Sequence, residues 1–250
     1  MSPIRKGDGT PLEIPGVQEV RSGDGRVFFE GDAIPDSVVS NMDLLYWMEE
    51  GSGESISDYF EEVDATLVGE WDTDIESPTY KDEITTYDGD DNNVSSNQDF
   101  WIGQEKVSVG LWFKTPGSID GAHILNAAPG PSDVADDGWV LTVEDDDTMR
   151  VFHRNSGGTN GVFTGLPYTP DEWQFVALSI DGDNVDAYLY DATEQTATES
   201  GSGSRGLTDQ RLNGMKGWDG AVEGDVAVVM AAKDVIPEST WNDIHQDTRP

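Results

Sequence analysis

The 250-residue sequence contains no cysteine and few basic residues, with 14 lysines and arginines against 50 aspartates and glutamates. The absence of cysteine excludes disulfide bonds and thiolate chemistry. The formal net charge is 14 − 50 = −36 at pH 7, and a surface this negative repels phosphate groups. We therefore predict that the protein binds no nucleic acid and does not associate with anionic membrane surfaces.

Long hydrophobic runs are also missing. The longest is Val226–Ala232, seven residues, whereas a membrane-spanning helix needs roughly 20 apolar residues. The residues after Met1 contain neither the apolar stretch nor the twin arginine of an export signal. We therefore expect no membrane insertion, and a protein that stays inside a cell or leaves it within an assembly built there.

The acidic residues are spread along the whole chain and do not form an acidic tail. Residues 51–100, for example, contain fifteen acids and one base. Dispersed carboxylates with few lysines are typical of proteins that work in molar salt, where the Debye length is about 3 Å and repulsion between carboxylates is screened. The composition predicts a halophilic protein whose fold loosens at low salt.

The sequence is rich in short strand patterns. Eight Trp, eight Phe and seven Tyr provide bulk for a core, and stretches of alternating or continuous apolar residues are separated by turns of Gly, Asp and Asn. The predicted strands are 44–48, 107–113, 139–143, 149–153, 173–180, 185–190 and 226–230. A short helix is predicted from Pro237, with Trp241 and Ile244 on one face, and the Ser- and Gly-rich segment Thr196–Gly206 is predicted to be a loop. This pattern predicts an all-β sandwich or jelly roll.

Residues 1–37 differ from the rest of the chain. They contain seven acids and four bases, are interrupted by prolines, and include one strand-like stretch, Arg26–Phe29. Such a segment cannot bury a core alone, so we predict an N-terminal docking arm over 1–37 and a jelly-roll domain over 38–250.

Five segments between about residues 42 and 247 match, in order, the motifs of one family. They are Tyr46–Gly53 with the following Asp58, Tyr87–Val94, Val107–Lys114, Trp173–Gly182 and Gly220–Val228. In this order they resemble the concanavalin A-like jelly roll of the laminin-G-like type. The resemblance implies an antiparallel β-sandwich jelly roll preceded by a short arm.

The arm carries a second resemblance. The segments Val20–Phe28 and Ile34–Ser37, leading into such a domain, resemble leaders of structural proteins from tailed viruses of haloarchaea. This implies a non-enzymatic virion protein on the particle surface or tail, which forms homo-oligomers, contacts other virion proteins and attaches to host surface glycans or glycoproteins. The alternative interpretation is a carbohydrate-binding module of a haloarchaeal cell-surface or secreted protein.

Catalytic patterns are incomplete. Glycan hydrolases of this architecture use a strand motif E-x-D-x-x-E, and the nearest match places Glu223 and Asp225 correctly but has Val228 at the third position. No G-x-S-x-G motif occurs, and the three histidines, His123, His153 and His245, lack metal-site spacing, so each is expected to be a surface or strand residue. We predict that the protein is not an enzyme, with glycan hydrolysis as a third hypothesis.

Calcium is the one cofactor that the sequence suggests. Calcium is held by six to eight oxygen ligands from a curled loop, and rim loops of laminin-G-like domains bind it in some members. The best candidate ligands are Asp88, Asp90 and Asp91, while the acidic turns at 145–147 and 181–183 are expected to be solvated. No phosphate-cradling glycine loop is present. The tryptophans are expected to pack rather than bind sugar, including Trp101, which is expected near a loop.

Overall fold

The computed structural model describes residues 19–21, 27–30, 35–46, 55–68, 93–96, 98–101, 103–115, 122–128, 138–144, 146–155, 158–204, 211–214 and 225–248. The strands are β1 (Glu19–Arg21), β2 (Val27–Glu30), β3 (Leu44–Tyr46), β4 (Ser55–Ile56), β5 (Ala65–Val68), β6 (Asn93–Ser96), β7 (Lys106–Lys114), β8 (Ala122–Ala128), β9 (Gly138–Val143), β10 (Thr148–Asn155), β11 (Gly158–Pro167), β12 (Gln174–Asp181), β13 (Asn184–Tyr190), β14 (Gln195–Ser202), β15 (Arg211–Gly214) and β16 (Asp225–Ala232). The helices are α1 (Asp36–Val39) and α2 (Glu238–Thr248).

The strands form two large antiparallel sheets and one small one. The six-stranded sheet has the order β14-β13-β12-β7-β16-β3, and the eight-stranded sheet has the order β11-β10-β9-β8-β15-β6-β5-β4. Their facing sides share one buried core, to which Leu111 and Val176 contribute from the first sheet and Leu141 and Val151 from the second. The predicted antiparallel β-sandwich is confirmed.

A second core covers the outer face of the six-stranded sheet. Alternate residues of β12 point to opposite faces, so Val176 lies in the core between the sheets while Phe175 lies on the other side with Trp112 and Trp241. Because both faces of β12 are buried, its apolar run is continuous. The predicted central strand at 173–180 is therefore confirmed, and so is the helix after Pro237.

Helix α2 is fixed to this face by buried hydrogen bonds. The indole of Trp241 donates to Ser179 Oγ at 2.9 Å, and the Ser179 hydroxyl donates to the carbonyl of Ile236 at 2.6 Å. The indole of Trp112 donates to Thr248 Oγ1 at 3.1 Å at the other end of the helix. These bonds satisfy polar groups that would be costly to bury alone.

The predicted loop at Thr196–Gly206 is wrong for most of its length. Strand β14 (Gln195–Ser202) pairs with β13 as the edge of the six-stranded sheet. Its residues alternate between exposed and partly buried positions. The segment lacks large apolar residues because only Ala197 reaches the main core, and its strand form comes from backbone pairing with β13.

The N-terminal region contributes a separate two-stranded sheet of β1 and β2, so the predicted strand at Arg26–Phe29 corresponds to β2. Helix α1 spans the predicted boundary after residue 37, and its Val38 is fully buried in the core under α2. The docking role of the arm stays a prediction. Among the described residues, no helix is long and apolar enough to cross a membrane.

Candidate functional site

The outer face of the eight-stranded sheet carries two rows of side chains across β8, β9 and β10. Trp139, Leu141 and Val143 of β9 face the core, so Val140 and Thr142 point away from it. The register places His123, Thr142 and Arg150 in one row, and Asn126, Val140 and Phe152 in the next. We call these six residues, together with Glu144, the β8–β10 patch.

An ion pair organises the patch. The Nε of Arg150 lies 3.1 Å from Oε1 of Glu144, and the Thr142 hydroxyl donates to the same Oε1 at 2.9 Å. The guanidinium carbon of Arg150 lies 5.0 Å from the centre of the Phe152 ring, a cation–π distance. Arginine has five N–H donors, so this arrangement fixes the side chain while leaving several of its donors for other acceptors.

The patch is buried at its base and accessible at the ion pair. Asn126, Val140, Thr142, His123 and Phe152 are at most 5% exposed. The side chains of Arg150 and Glu144 are 38% and 24% exposed. The accessible part of the patch is therefore the Arg150–Glu144 pair, a cationic donor beside an anionic acceptor. A hydroxyl both donates and accepts hydrogen bonds, so neighbouring hydroxyls of one molecule complement this pair.

The predicted calcium ligands Asp88, Asp90 and Asp91 lie outside the described residues, as does Glu223. Asp225 is the first residue of β16, opposite Lys114 in the register. Within the part of the chain that the structure describes, no group of three or more His, Asp or Glu side chains could hold a metal ion. The turn after Asp181 is the two-residue hairpin Gly182–Asp183, with Gly182 at φ +60° as such a turn requires.

All three histidines are buried, and one of the predictions about them is wrong. His123 and His153 lie in β8 and β10, as expected of strand residues, and His153 Nδ1 is hydrogen-bonded to the carbonyl of Gly203. His245 lies in α2, neither on the surface nor in a strand. Its ring stacks on Tyr190 at 4.6 Å, and its Nε2 lies 2.7 Å from the carbonyl of Asp191. The flat imidazole of His245 packs against the aromatic rings of Trp112 and Tyr190 under the helix.

The tryptophans that the structure describes pack, as expected. Trp112 and Trp139 are fully buried in the two cores. Trp101 lies outside the named strands but is also buried, edge-on to Trp139 at 5.8 Å between ring centres. Trp173 is partly buried, with Lys114 Nζ 5.3 Å from its ring centre. Trp47, Trp71 and Trp218 lie outside the described residues.

Asp58, part of the first family-like motif, has a structural role. It is 3% exposed, and its two oxygens accept hydrogen bonds from the backbone N–H groups of Leu45, Phe60, Glu62 and Val63, at 2.8 to 3.3 Å. The Tyr46 hydroxyl donates to the carbonyl of Val63 at 2.7 Å, and burial raises the pKa of this tyrosine far above its usual value. Because these bonds tie β3 to the following turn, Asp58 belongs to the fold rather than to a ligand site.

Sequence reasoning missed the β8–β10 patch. The predicted strand at 149–153 places Arg150 and Phe152 on one face by alternation, so the sequence does indicate that these two side chains lie together. The neighbours of that face come from β8 and β9, and only the register brings His123 and Thr142 beside Arg150.

Comparisons with family models and with curated proteins find no match. Solved structures are similar in fold. Domain 4 of AbnA, a GH43 extracellular arabinanase from Geobacillus stearothermophilus solved in complex with arabinotriose, has a TM-score of 0.62 at 13% identity, covering 82% of this chain and 100% of that domain. The binding domain of botulinum neurotoxin DC, solved in complex with rat synaptotagmin II, has a TM-score of 0.60 at 11% identity, covering 84% and 52%.

The binding domain of Paraclostridial Mosquitocidal Protein 1 has a TM-score of 0.61 at 10% identity, covering 83% of this chain and 52% of that one. The chain therefore spans about half the length of these two binding domains and the whole of the arabinanase domain. At such low identities the similarity shows the fold alone, which is a jelly-roll-like β-sandwich.

Proposed function

We propose that this protein is a non-enzymatic binding domain that recognises a neutral, hydroxyl-rich glycan through the β8–β10 patch. The observation that carries the proposal is the partly exposed Arg150–Glu144 pair on a buried base. Helices α1 and α2 pack on the outer face of the six-stranded sheet, so that face is occupied by the chain itself.

Charge favours a neutral ligand. The two charges of the Arg150–Glu144 pair cancel within the patch, while the whole chain carries −36. A sulfated or uronate-rich glycan would bring an anion into contact with the partly buried Glu144 carboxylate, a short-range repulsion that salt screens only weakly. A neutral sugar brings no such anion, and its hydroxyls can accept from the guanidinium and donate to the carboxylate.

The comparisons support a binding role. Domain 4 of AbnA was solved with arabinotriose, and the neurotoxin binding domain with synaptotagmin II. Catalysis is not part of the proposal, because Val228 occupies the third position of the hydrolase motif and is buried in the core under α2.

We place this binding domain on the surface or tail of a virion of a halophilic archaeal virus. The acidic composition and the arm over 1–37 support this location, with homo-oligomers and other virion proteins as partners. The alternative is a carbohydrate-binding module of a haloarchaeal surface or secreted protein. Immunogold labelling of purified particles separates the two, since a virion component labels intact particles and a cellular module does not.

Glycan binding is tested by isothermal titration in 3 M KCl, with ligands chosen from an array of neutral arabino-, gluco-, galacto- and manno-oligosaccharides and their uronate counterparts. Arg150→Gln and Glu144→Gln each remove one charge-assisted hydrogen bond, so we expect about tenfold weaker binding or more. The matched control is Glu62→Gln, which breaks the exposed Lys233–Glu62 pair (2.7 Å) elsewhere on the surface and should leave affinity unchanged. Wild-type affinity in both patch variants, or binding only of uronates, would refute the proposal.

A further inference from the structure

Strand β14 is an unusual edge. Among the described strands, four lie at edges of the two large sheets: β3 and β14, and β4 and β11. Strand β3 has three residues and β4 has two. Strand β11 is longer, but its pairing with β10 shifts register twice. Strand β14 has eight residues, and its pairing with β13 is regular from Ala197 to Ser202. Natural edges are usually kept short, bulged or charged to prevent pairing with other chains. Strand β14 is neither short nor densely charged, and its one register shift, between Gln195 and Ala197, lies at its start and leaves six regular residues.

The backbone of β14 points half of its hydrogen-bonding groups away from the sheet. The N–H of Gly203 donates to the carbonyl of Asp183 at 2.9 Å, and these two residues lie opposite each other in the continued register. Hydrogen-bonded pairs recur every second residue in an antiparallel ladder. Residues 197, 199 and 201 therefore bond to β13, whereas the N–H and C=O groups of residues 198, 200 and 202 point outward from the edge.

Strand β11 lies beneath β14 rather than beside it. A Cβ added at Gly201 would collide with the carbonyl oxygen of Val162 in β11. Because Cβ atoms project perpendicular to a sheet, Val162 lies under the inner face of β14. Among the strands that the structure describes, β14 has one neighbour in its own sheet, β13.

The charge of β14 suits a second copy of the same chain. One residue in five of the whole sequence is acidic, yet Gln195–Ser202 contains a single acid, Glu199, and no base or proline. The exposed side chains are Thr196, Thr198, Ser200 and Ser202. Molar salt screens the long-range repulsion between two chains of charge −36, but carboxylates brought into direct contact still repel each other. Two copies therefore meet least unfavourably along a strip with few charges.

We infer that a second copy of this chain pairs with β14, antiparallel about a twofold axis, and joins the two six-stranded sheets into one of twelve strands. A register centred on Ser200 places Glu199 opposite Gly201 of the partner copy. This avoids two carboxylates directly facing each other, which would destabilise the pair. Thr198 then lies opposite Ser202.

Light scattering in 3 M KCl over a concentration series tests the inference. We expect a dimer mass for the wild type and for Thr198→Val, which keeps the backbone donor. Thr198→Pro removes an outward N–H and blocks edge pairing, so we expect its dissociation constant to rise about tenfold or more. Its melting temperature shows whether it is folded.

Crosslinking decides the question independently of folding effects in the proline variant. Because the chain has no cysteine, Ser200→Cys carries a unique thiol, and a short bis-maleimide should link two copies. Ser40→Cys, after α1 near the opposite edge strand β3, should give no dimer band. A monomer at all concentrations, a dimer that persists in a folded Thr198→Pro variant, or equal crosslinking at both cysteines would overturn the inference.

Discussion

Gly110 of β7 lies where the sheet meets α2, and its substitution tests how tightly the helix is seated. A Cβ at this position would lie 2.8 Å from Cζ3 of Trp241 and 2.9 Å from Cζ of Phe175. Both rings are fully buried, and the Trp241 indole is held by its hydrogen bond to Ser179. Neither ring can retreat without breaking other contacts.

The expected cost of Gly110→Ala follows from two opposing effects. Overpacking of a well-filled core costs about 1–3 kcal/mol. Replacing glycine by alanine restricts the unfolded chain, which stabilises the folded state by about 0.4–1 kcal/mol. We therefore expect a net loss of about 1–2 kcal/mol in the free energy of unfolding, measured by urea titration in 3 M KCl with tryptophan fluorescence.

Gly161→Ala is the matched control. Gly161 lies in β11, and a Cβ there would have nothing within 4 Å. Only the unfolded-state effect remains, so this variant should be as stable as the wild type or slightly more stable. Equal stabilities of the two alanine variants would show that α2 is seated loosely and would refute the packing argument.

Three further outcomes follow from the structure and composition. Each carboxylate oxygen of Asp58 accepts two backbone N–H groups, and in Asp58→Asn one of these acceptors becomes an amide donor whichever way the amide is turned. The urea midpoint should therefore fall by the equivalent of about 3 kcal/mol. An unchanged midpoint would contradict the structural role of Asp58. Burial raises the pKa of Tyr188 to about 12 and the pKa of Tyr46 and Tyr190 higher still. The folded state thus holds these protons more tightly than the unfolded state. Its free energy of unfolding, complete below pH 10, should fall as the pH rises through 12. If all tyrosines showed phenolate absorbance at 295 nm before any loss of far-UV circular dichroism, the raised pKa values would be wrong. Finally, the charge of −36 predicts a lower melting temperature in 0.1 M than in 3 M KCl, and equal melting temperatures would remove the halophilic interpretation.

The strands that could be predicted are those whose side chains enter a core. Val107–Phe113 and Trp173–Ile180 are read from their apolar pattern because β7 and β12 are buried on both faces. Strand β14 could not be predicted this way, since its exposed row is Thr and Ser and its partner is the backbone of β13. Composition alone made it resemble a loop.

The β8–β10 patch could not be found from the sequence for a different reason. Its members come from three strands, and a shift of one residue in any register would turn Arg150 or His123 to the opposite face. Family resemblance singled out Asp58, yet only the structure shows that its oxygens are used by four backbone donors. The family resemblance identified Asp58, which the fold needs. The residues of the β8–β10 patch are identified only by the strand pairing that the structure shows.

The two proposals have a joint consequence for affinity. A twofold axis that makes two six-stranded sheets continuous runs perpendicular to them, so the outer faces of both eight-stranded sheets, and both β8–β10 patches, point the same way. A dimer could then engage two glycans on one surface, and the second contact would be intramolecular, which can raise avidity by 10²–10⁴-fold. Thr198→Pro should therefore leave the affinity for a free oligosaccharide unchanged while shortening residence on a surface densely coated with the same sugar, measured by surface plasmon resonance. Arg150→Gln should weaken both. If Thr198→Pro had no effect on the coated surface while remaining monomeric, the patches would not act together, and the dimer would serve assembly alone.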